Sequence, residues 1–153
     1  MDKGVASVTV DFARRPRCPG KPDPNHLPEE RNMIRVLYAE DEALIASVMR
    51  TYLERFAPEC TLEIVPTGGA CLARMEQGGI DVLVLDLMLP DGDGLTVTGD
   101  LAARGDRTPV IMVSGHGQTE LAVRAPRAGA VDCIDKSTAK FLQLPETIRR
   151  VHA

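Results

Sequence analysis

The chain has 153 residues, which suits one domain with at most a short appendage. Apolar residues make up 44% and aromatics only 3%, so Val, Leu, Ile and Ala must fill the core. A net charge of -4 argues against nucleic acid as a partner; no apolar run approaches the ~20 residues that span a bilayer, and no export signal opens the chain.

Residues Met1 to Asn32 hold Pro16, Pro19, Pro22, Pro24 and Pro28 beside Arg14, Arg15 and Arg17. Such a segment buries little, so residues 1–32 are expected to be a disordered extension and residues 33–153 the folded domain. Ile34 to Tyr38 reads as a buried strand. Glu42 to Phe56 reads as a helix, with Leu44, Ile45, Val48, Met49, Tyr52, Leu53 and Phe56 at helical spacing and Pro58 as its stop. Thr61 to Val65 is the second strand, and Gly68 to Gln77 a short helix ended by Gly78-Gly79. Asp81 to Leu85 is the third strand, and Pro90-Asp91-Gly92-Asp93-Gly94 a loop dense in turn formers. Leu95 to Arg104 is a helix, Val110 to Val113 the fourth strand, and Gln118 to Ala128 a helix closed by Gly129. Val131 to Ile134 is the fifth strand, and Pro145 to Val151 a last helix with proline in its first turn. This alternation, with short loops and almost continuously apolar strands, predicts an α/β fold: one doubly wound, five-stranded parallel sheet covered on both faces. Cys18, Cys60, Cys71 and Cys133 are irregularly spaced with no Cys-x-x-Cys pair, so zinc and disulfide readings yield to reduced, mostly buried thiols in a cytoplasmic domain.

Charged and polar residues end several of these runs, at the carboxyl edge where open α/β sheets place ligands. Glu40 and Asp41 follow the first strand. Taken alone they read best as acids at a helix N-terminus, but together with a cation they could hold Mg2+. Asp86 ends the most apolar strand, and Leu87-Met88-Leu89-Pro90 separates it from any helix it could cap. An ionised Asp86 beside Mg2+ could attack a phosphoryl group, with Met88 offering its backbone carbonyl to the metal. Ser114, before Gly115-His116-Gly117, is either a turn residue or a donor to a phosphoryl oxygen; His116 reads as a surface residue. Lys136 is either an exposed strand-end lysine or the cation that meets that oxygen or Asp86. Each signal is weak alone; their order along one edge makes them strong jointly.

Four segments carry a family resemblance. They are Val36 to Glu42 (VLYAEDE), Asp81 to Leu95 (DVLVLDLMLPDGDGL), Pro109 to Gly115 (PVIMVSG) and Ala128 to Lys136 (AGAVDCIDK). From Met33 to the C-terminus the chain resembles the receiver domain of two-component response regulators. The resemblance implies a flavodoxin-like fold with strand order 2-1-3-4-5. It also implies Asp86 as phosphoacceptor, Glu40 and Asp41 as holders of Mg2+, and Ser114 and Lys136 as contacts of the phosphoryl group.

The sequence departs from that pattern in four places. Cys133 stands where the family carries an aromatic ring, so the usual coupling of hydroxyl to ring cannot operate in its ordinary form. Ser137 follows the lysine where proline is common. Pro126 falls inside the fourth expected helix and should kink or shorten it. The segment Ser137 to Leu144 is longer than in the commonest receivers. Most of these positions touch the face that usually carries output, which implies an unusual output above a complete phosphorylation site.

The expected function is phosphoryl transfer to Asp86 from a sensor histidine kinase or a histidine phosphotransfer protein. No effector domain is expected after the receiver, so the signal would pass by docking to a downstream protein partner or along a phosphorelay. No enzyme activity is expected beyond Mg2+-dependent self-phosphorylation and autodephosphorylation. The alternative is a receiver-like protein-binding module that no longer needs phosphate. A Mg2+-dependent phosphatase fits poorly, because Met88 stands where such enzymes place a second Asp. A flavin protein fits poorly too, because Glu40-Asp41-Glu42 would repel the flavin phosphate.

Overall fold

The structure is a computed structural model that describes residues 33–115 and 123–153. The expected extension (residues 1–32), Cys18, His116 and the first part of the helix expected over Gln118 to Ala128 lie outside the described residues.

The main elements are β1 (Ile34–Ala39), α1 (Ala43–Phe56), β2 (Cys60–Val65), α2 (Gly68–Glu76) and β3 (Val82–Asp86), followed by the short strands β4 (Met88–Leu89) and β5 (Gly92–Asp93). Then come α3 (Gly94–Ala103), β6 (Val110–Ser114), α4 (Ala125–Ala128), β7 (Asp132–Asp135), a 3-10 turn (Ala139–Gln143) and α5 (Leu144–His152). Five strands form one sheet in the order β2-β1-β3-β6-β7, with parallel pairings throughout. Once the two-residue strands β4 and β5 are set aside, this is the expected order.

Strand alternation sends the sheet's side chains to two separate cores. Leu37, Ala39, Leu83, Leu85 and Met112 pack against Cys71 and Met75 of α2, Val97 and Leu101 of α3 and Ala125 of α4. Val36, Tyr38, Val84, Ile111 and Val113 pack against Met49 and Leu53 of α1 and against Leu144 and Ile148 of α5. Two buried faces explain why the strands read as unbroken apolar runs. No helix among the described residues is long and apolar enough to cross a membrane.

Several expectations need correction. The run Pro90 to Gly94 is not simply a loop, because Met88 and Leu89 pair antiparallel with Asp93 and Gly92 across a Pro90-Asp91 turn. Gly92 there has φ 147, open to glycine and not to other residues. On α1, Ala46, Met49 and Leu53 are buried while Leu44, Val48 and Phe56 face solvent, so the apolar stripe is wider than the sheet can cover. Pro126 lies in the first turn of α4, which among the described residues is the single turn Ala125–Ala128, in keeping with the expected shortening, and its missing N–H costs no helix bond there. The long segment after Lys136 is filled by the 3-10 turn, which plugs the α1–α5 core with Phe141. Ser137 donates both its N–H (2.8 Å) and its hydroxyl (2.7 Å) to Asp135 Oδ1, and a proline could make neither bond.

The β4–β5 hairpin is stapled to α2. Asp91 accepts from the N–H groups of Gly68 (2.8 Å) and Gly69 (2.9 Å), which also holds its carboxyl below the usual range. Asp91→Ala is therefore expected to lower the urea midpoint at neutral pH. The loss should fade in acid as the wild-type carboxylate takes up its proton. An unchanged neutral midpoint would show that the staple adds nothing.

Candidate functional site

Register decides where the polar residues meet. Ala39 is level with Leu85, Asp86 with Val113, and Ser114 with Asp135. The residues at or just past these positions (Glu40, Asp86, Ser114 and Lys136) therefore leave three neighbouring strand pairs at one edge. Asp41, Glu42, Ile45, Asp86, Met88, Gly115, Lys136 and Ser137 line an open cleft there.

Lys136 is the centre of the arrangement. Its ammonium donates to Glu40 Oε1 at 2.9 Å and to Asp86 Oδ2 at 2.9 Å. Its own backbone N–H is fixed by the Ser114 carbonyl at 2.7 Å. Burial alone would lower the lysine's pKa, but the bonds to Asp86 and Glu40 outweigh it and the shift is upward. The ammonium thus stays charged between two carboxylates.

Glu40 is 2% exposed and Asp86 3%. Burial, and then closeness to Asp86, push the Glu40 carboxyl up to about 7 against the opposing pull of Lys136. One ammonium does not satisfy two buried carboxylates, and Asp41 adds a third on the exposed side. Oxygens of Glu40, Asp41 and Asp86 lie within 4.8 Å of one another, a spacing and donor chemistry that suit a hard divalent cation. Asp86 Oδ1 also accepts from the Met88 N–H at 3.1 Å, a local turn that the sequence reading did not foresee. Met88 itself lines the cleft.

Ser114 is buried at the end of β6, and Cys133 stands on the neighbouring strand β7, its thiol pushed up by burial. The position expected to carry an aromatic ring is thus a half-buried thiol on the strand next to Ser114. Sequence reasoning missed Tyr38, whose hydroxyl donates to Glu40 Oε1 at 3.3 Å. The signal was present: Tyr38 lies on β1, and Glu40 follows two residues later just past its end, so continuing the strand's alternation puts both on one side.

A doubly wound parallel sheet with an acid-and-lysine cleft at its carboxyl edge defines a flavodoxin-like receiver fold. The family model for the response regulator receiver domain matches residues 36–149, and the chain belongs to that family. Among curated proteins it is 37% identical over 107 residues, 69% of this chain, to protein-glutamate methylesterase/protein-glutamine glutaminase 5 of Myxococcus xanthus. It is 31% identical over 108 residues, 71% of this chain, to transcriptional regulatory protein ResD of Bacillus subtilis. The chain spans 31% and 44% of the lengths of these two relatives. The crystal structure of FixJ-N matches with TM-score 0.69 and 28% identity, over 78% of this chain and 93% of that one. The receiver domain of NtrX from Brucella abortus matches with TM-score 0.65 and 28% identity, over 75% of this chain and 98% of that one.

Proposed function

We propose that the protein is a phosphoryl-accepting receiver modified on Asp86 by a histidine kinase or a histidine phosphotransfer protein. The observation that carries this reading is the Lys136 ammonium, 2.9 Å from both Asp86 and Glu40, in a cluster short of positive charge. Glu40, Asp41, Asp86 and the Met88 carbonyl would hold Mg2+, which when bound supplies charge neutralisation at the phosphoryl oxygens.

The chain's own residues supply the remaining chemistry. An Asp86 carboxylate oxygen forms the new P–O bond while the P–N bond of the donor phosphohistidine breaks, its electron pair returning to the imidazole. Lys136 releases Asp86 Oδ2 to meet a phosphoryl oxygen, and the Ser114 hydroxyl donates to another. Burial of Asp86 keeps bulk water from the acceptor. Leu44 and Val48, exposed on α1 beside the cleft residue Ile45, suit contact with a protein donor. The signal then leaves through docking of a downstream protein.

The test is acetyl phosphate with Mg2+, read by intact mass. Wild type is expected to gain one phosphoryl group and Asp86→Asn none. Equal labelling of the two would remove Asp86 from the role. Cys133 at the position where an aromatic ring was expected favours a second reading, in which docking does not depend on phosphate. Partner affinity that ignores beryllofluoride, in a protein that does label at Asp86, would select it.

A further inference from the structure

We propose that Tyr38 is a positioning residue of this site: its buried hydroxyl holds Glu40 so that Glu40 shares Lys136 with Asp86 instead of capturing it. The proposal rests on the phosphoryl-transfer reading and adds to it a residue behind the cleft.

Tyr38 is fully buried in the α1–α5 core, among Val36, Val84 and Met49. An aliphatic side chain would suit such surroundings. A phenolic O–H placed there is costly unless it finds a partner. The partner is Glu40 Oε1, reached from the interior side, while Lys136 reaches the same oxygen from the cleft side. The other oxygen, Oε2, has a long 3.4 Å contact with the Glu42 N–H. A continuous series of hydrogen bonds thus runs Tyr38–Glu40–Lys136–Asp86.

The physical consequence is competition for one cation. Glu40 and Asp86 hold the ammonium at equal distance. A second donor on Glu40 Oε1 takes up part of its charge, which weakens its claim on Lys136. Without that donor Glu40 turns toward the lysine, and Asp86 loses the cation that must follow its phosphoryl group. The phenol carries one O–H, and at neutral pH an ordinary tyrosine keeps it, so it is available to donate to Glu40. At 3.3 Å the bond is longer than the usual O–H···O, so its loss should be felt severalfold and not as abolition.

The experiment compares Tyr38→Phe, which keeps the ring in its pocket, with wild type, Lys136→Ala and the double variant. With acetyl phosphate at saturating Mg2+, Tyr38→Phe is expected to lower the maximal labelling rate about fivefold. In the Lys136→Ala background the same change should cause no further loss, a non-additivity that a purely structural role cannot produce. In metal-free protein with 15N-labelled lysine, the Lys136 ammonium signal should shift in Tyr38→Phe as Glu40 draws the ammonium away from Asp86. An unchanged maximal rate, equal losses in both backgrounds, or an unchanged ammonium signal would each overturn the proposal. If wild type takes no phosphoryl group at Asp86, the underlying reading fails instead, and the metal-free ammonium measurement still decides whether Tyr38, through Glu40, sets how Lys136 is shared.

Discussion

Lys136→Met is expected to be about 3 kcal/mol less stable than wild type near pH 8 and almost as stable near pH 5, both in metal-free buffer. Methionine replaces the apolar stem of the lysine but not its charge. Two buried carboxylates, Glu40 and Asp86, then face each other without a cation. Even with the ammonium present, burial and then the neighbouring Asp86 hold the Glu40 carboxyl at about 7. Removing Lys136 removes what lowers it, so it must rise further. The sign follows from linkage. A carboxyl whose folded-state pKa exceeds its unfolded value leaves the native state unpenalised below the unfolded pKa, near 4.3. The cost then grows as pH rises toward and through the folded-state pKa. In wild type that loss levels off near pH 7, whereas in the variant it continues to higher pH and goes deeper. The lysine's own pKa is raised, so its contribution is constant across this window. Urea unfolding of both proteins from about pH 5 to 8 reads the difference directly, and a pH-independent gap would contradict the claim that Lys136 compensates these carboxylates. Labelling of Asp86 should fall about a hundredfold in the same variant, because nothing else at that position can meet the developing phosphoryl charge.

The carboxyl-edge site was legible because it is a consequence of register. Once Ile34 to Tyr38, Asp81 to Leu85 and Val131 to Ile134 are read as parallel strands, their trailing residues must share an edge. Glu40, Asp86 and Lys136 accordingly stand in contact. Strand ends were displaced by a residue or so. Asp86 closes β3 and Ser114 closes β6, because pairing extends as far as the neighbouring backbone allows and not as far as the apolar run does. The β4–β5 hairpin was hidden because two residues per strand carry no periodicity. On α1 the helical period was right, but it could not say which of two adjacent apolar flanks meets the sheet; Leu44 and Val48 are left outside. Period two puts Tyr38 on the face of Glu40, yet only coordinates bring its hydroxyl to the carboxylate. Asp91 shows the same limit in a different form. Its partners Gly68 and Gly69 lie more than 20 residues away, and no local pattern reports a staple across that distance.

Gly94→Ala is expected to destabilise the fold by about 2–3 kcal/mol, the largest effect of any single methyl group added near the site. In sequence Gly94 looks like one more turn former in Pro90 to Gly94, but its backbone does not need a left-handed conformation. Its importance is proximity. A Cβ there would lie 2.6 Å from the Asp86 carbonyl oxygen, 2.9 Å from Met112 Sδ and 3.2 Å from Leu85 Cγ. Met112 can turn away, whereas the Asp86 carbonyl belongs to a central strand and cannot yield without moving the strand end. The Gly94 N–H also donates to the Leu87 carbonyl at 2.7 Å, so α3 cannot simply lift off without breaking that bond. Displacing Asp86 shifts its carboxylate against Lys136 and Asp41, and labelling of the folded protein should fall about tenfold or more. The control lies on the same helix. A Cβ at Gly99 meets nothing within 4 Å, so Gly99→Ala should stabilise α3 by about 0.5–1 kcal/mol through helix propensity alone. Opposite signs for one substitution at two positions of one helix separate contact from propensity. If Gly94→Ala behaves like Gly99→Ala in urea, α3 does not press on Asp86, and the proposed acceptor is less rigidly held than its contacts imply.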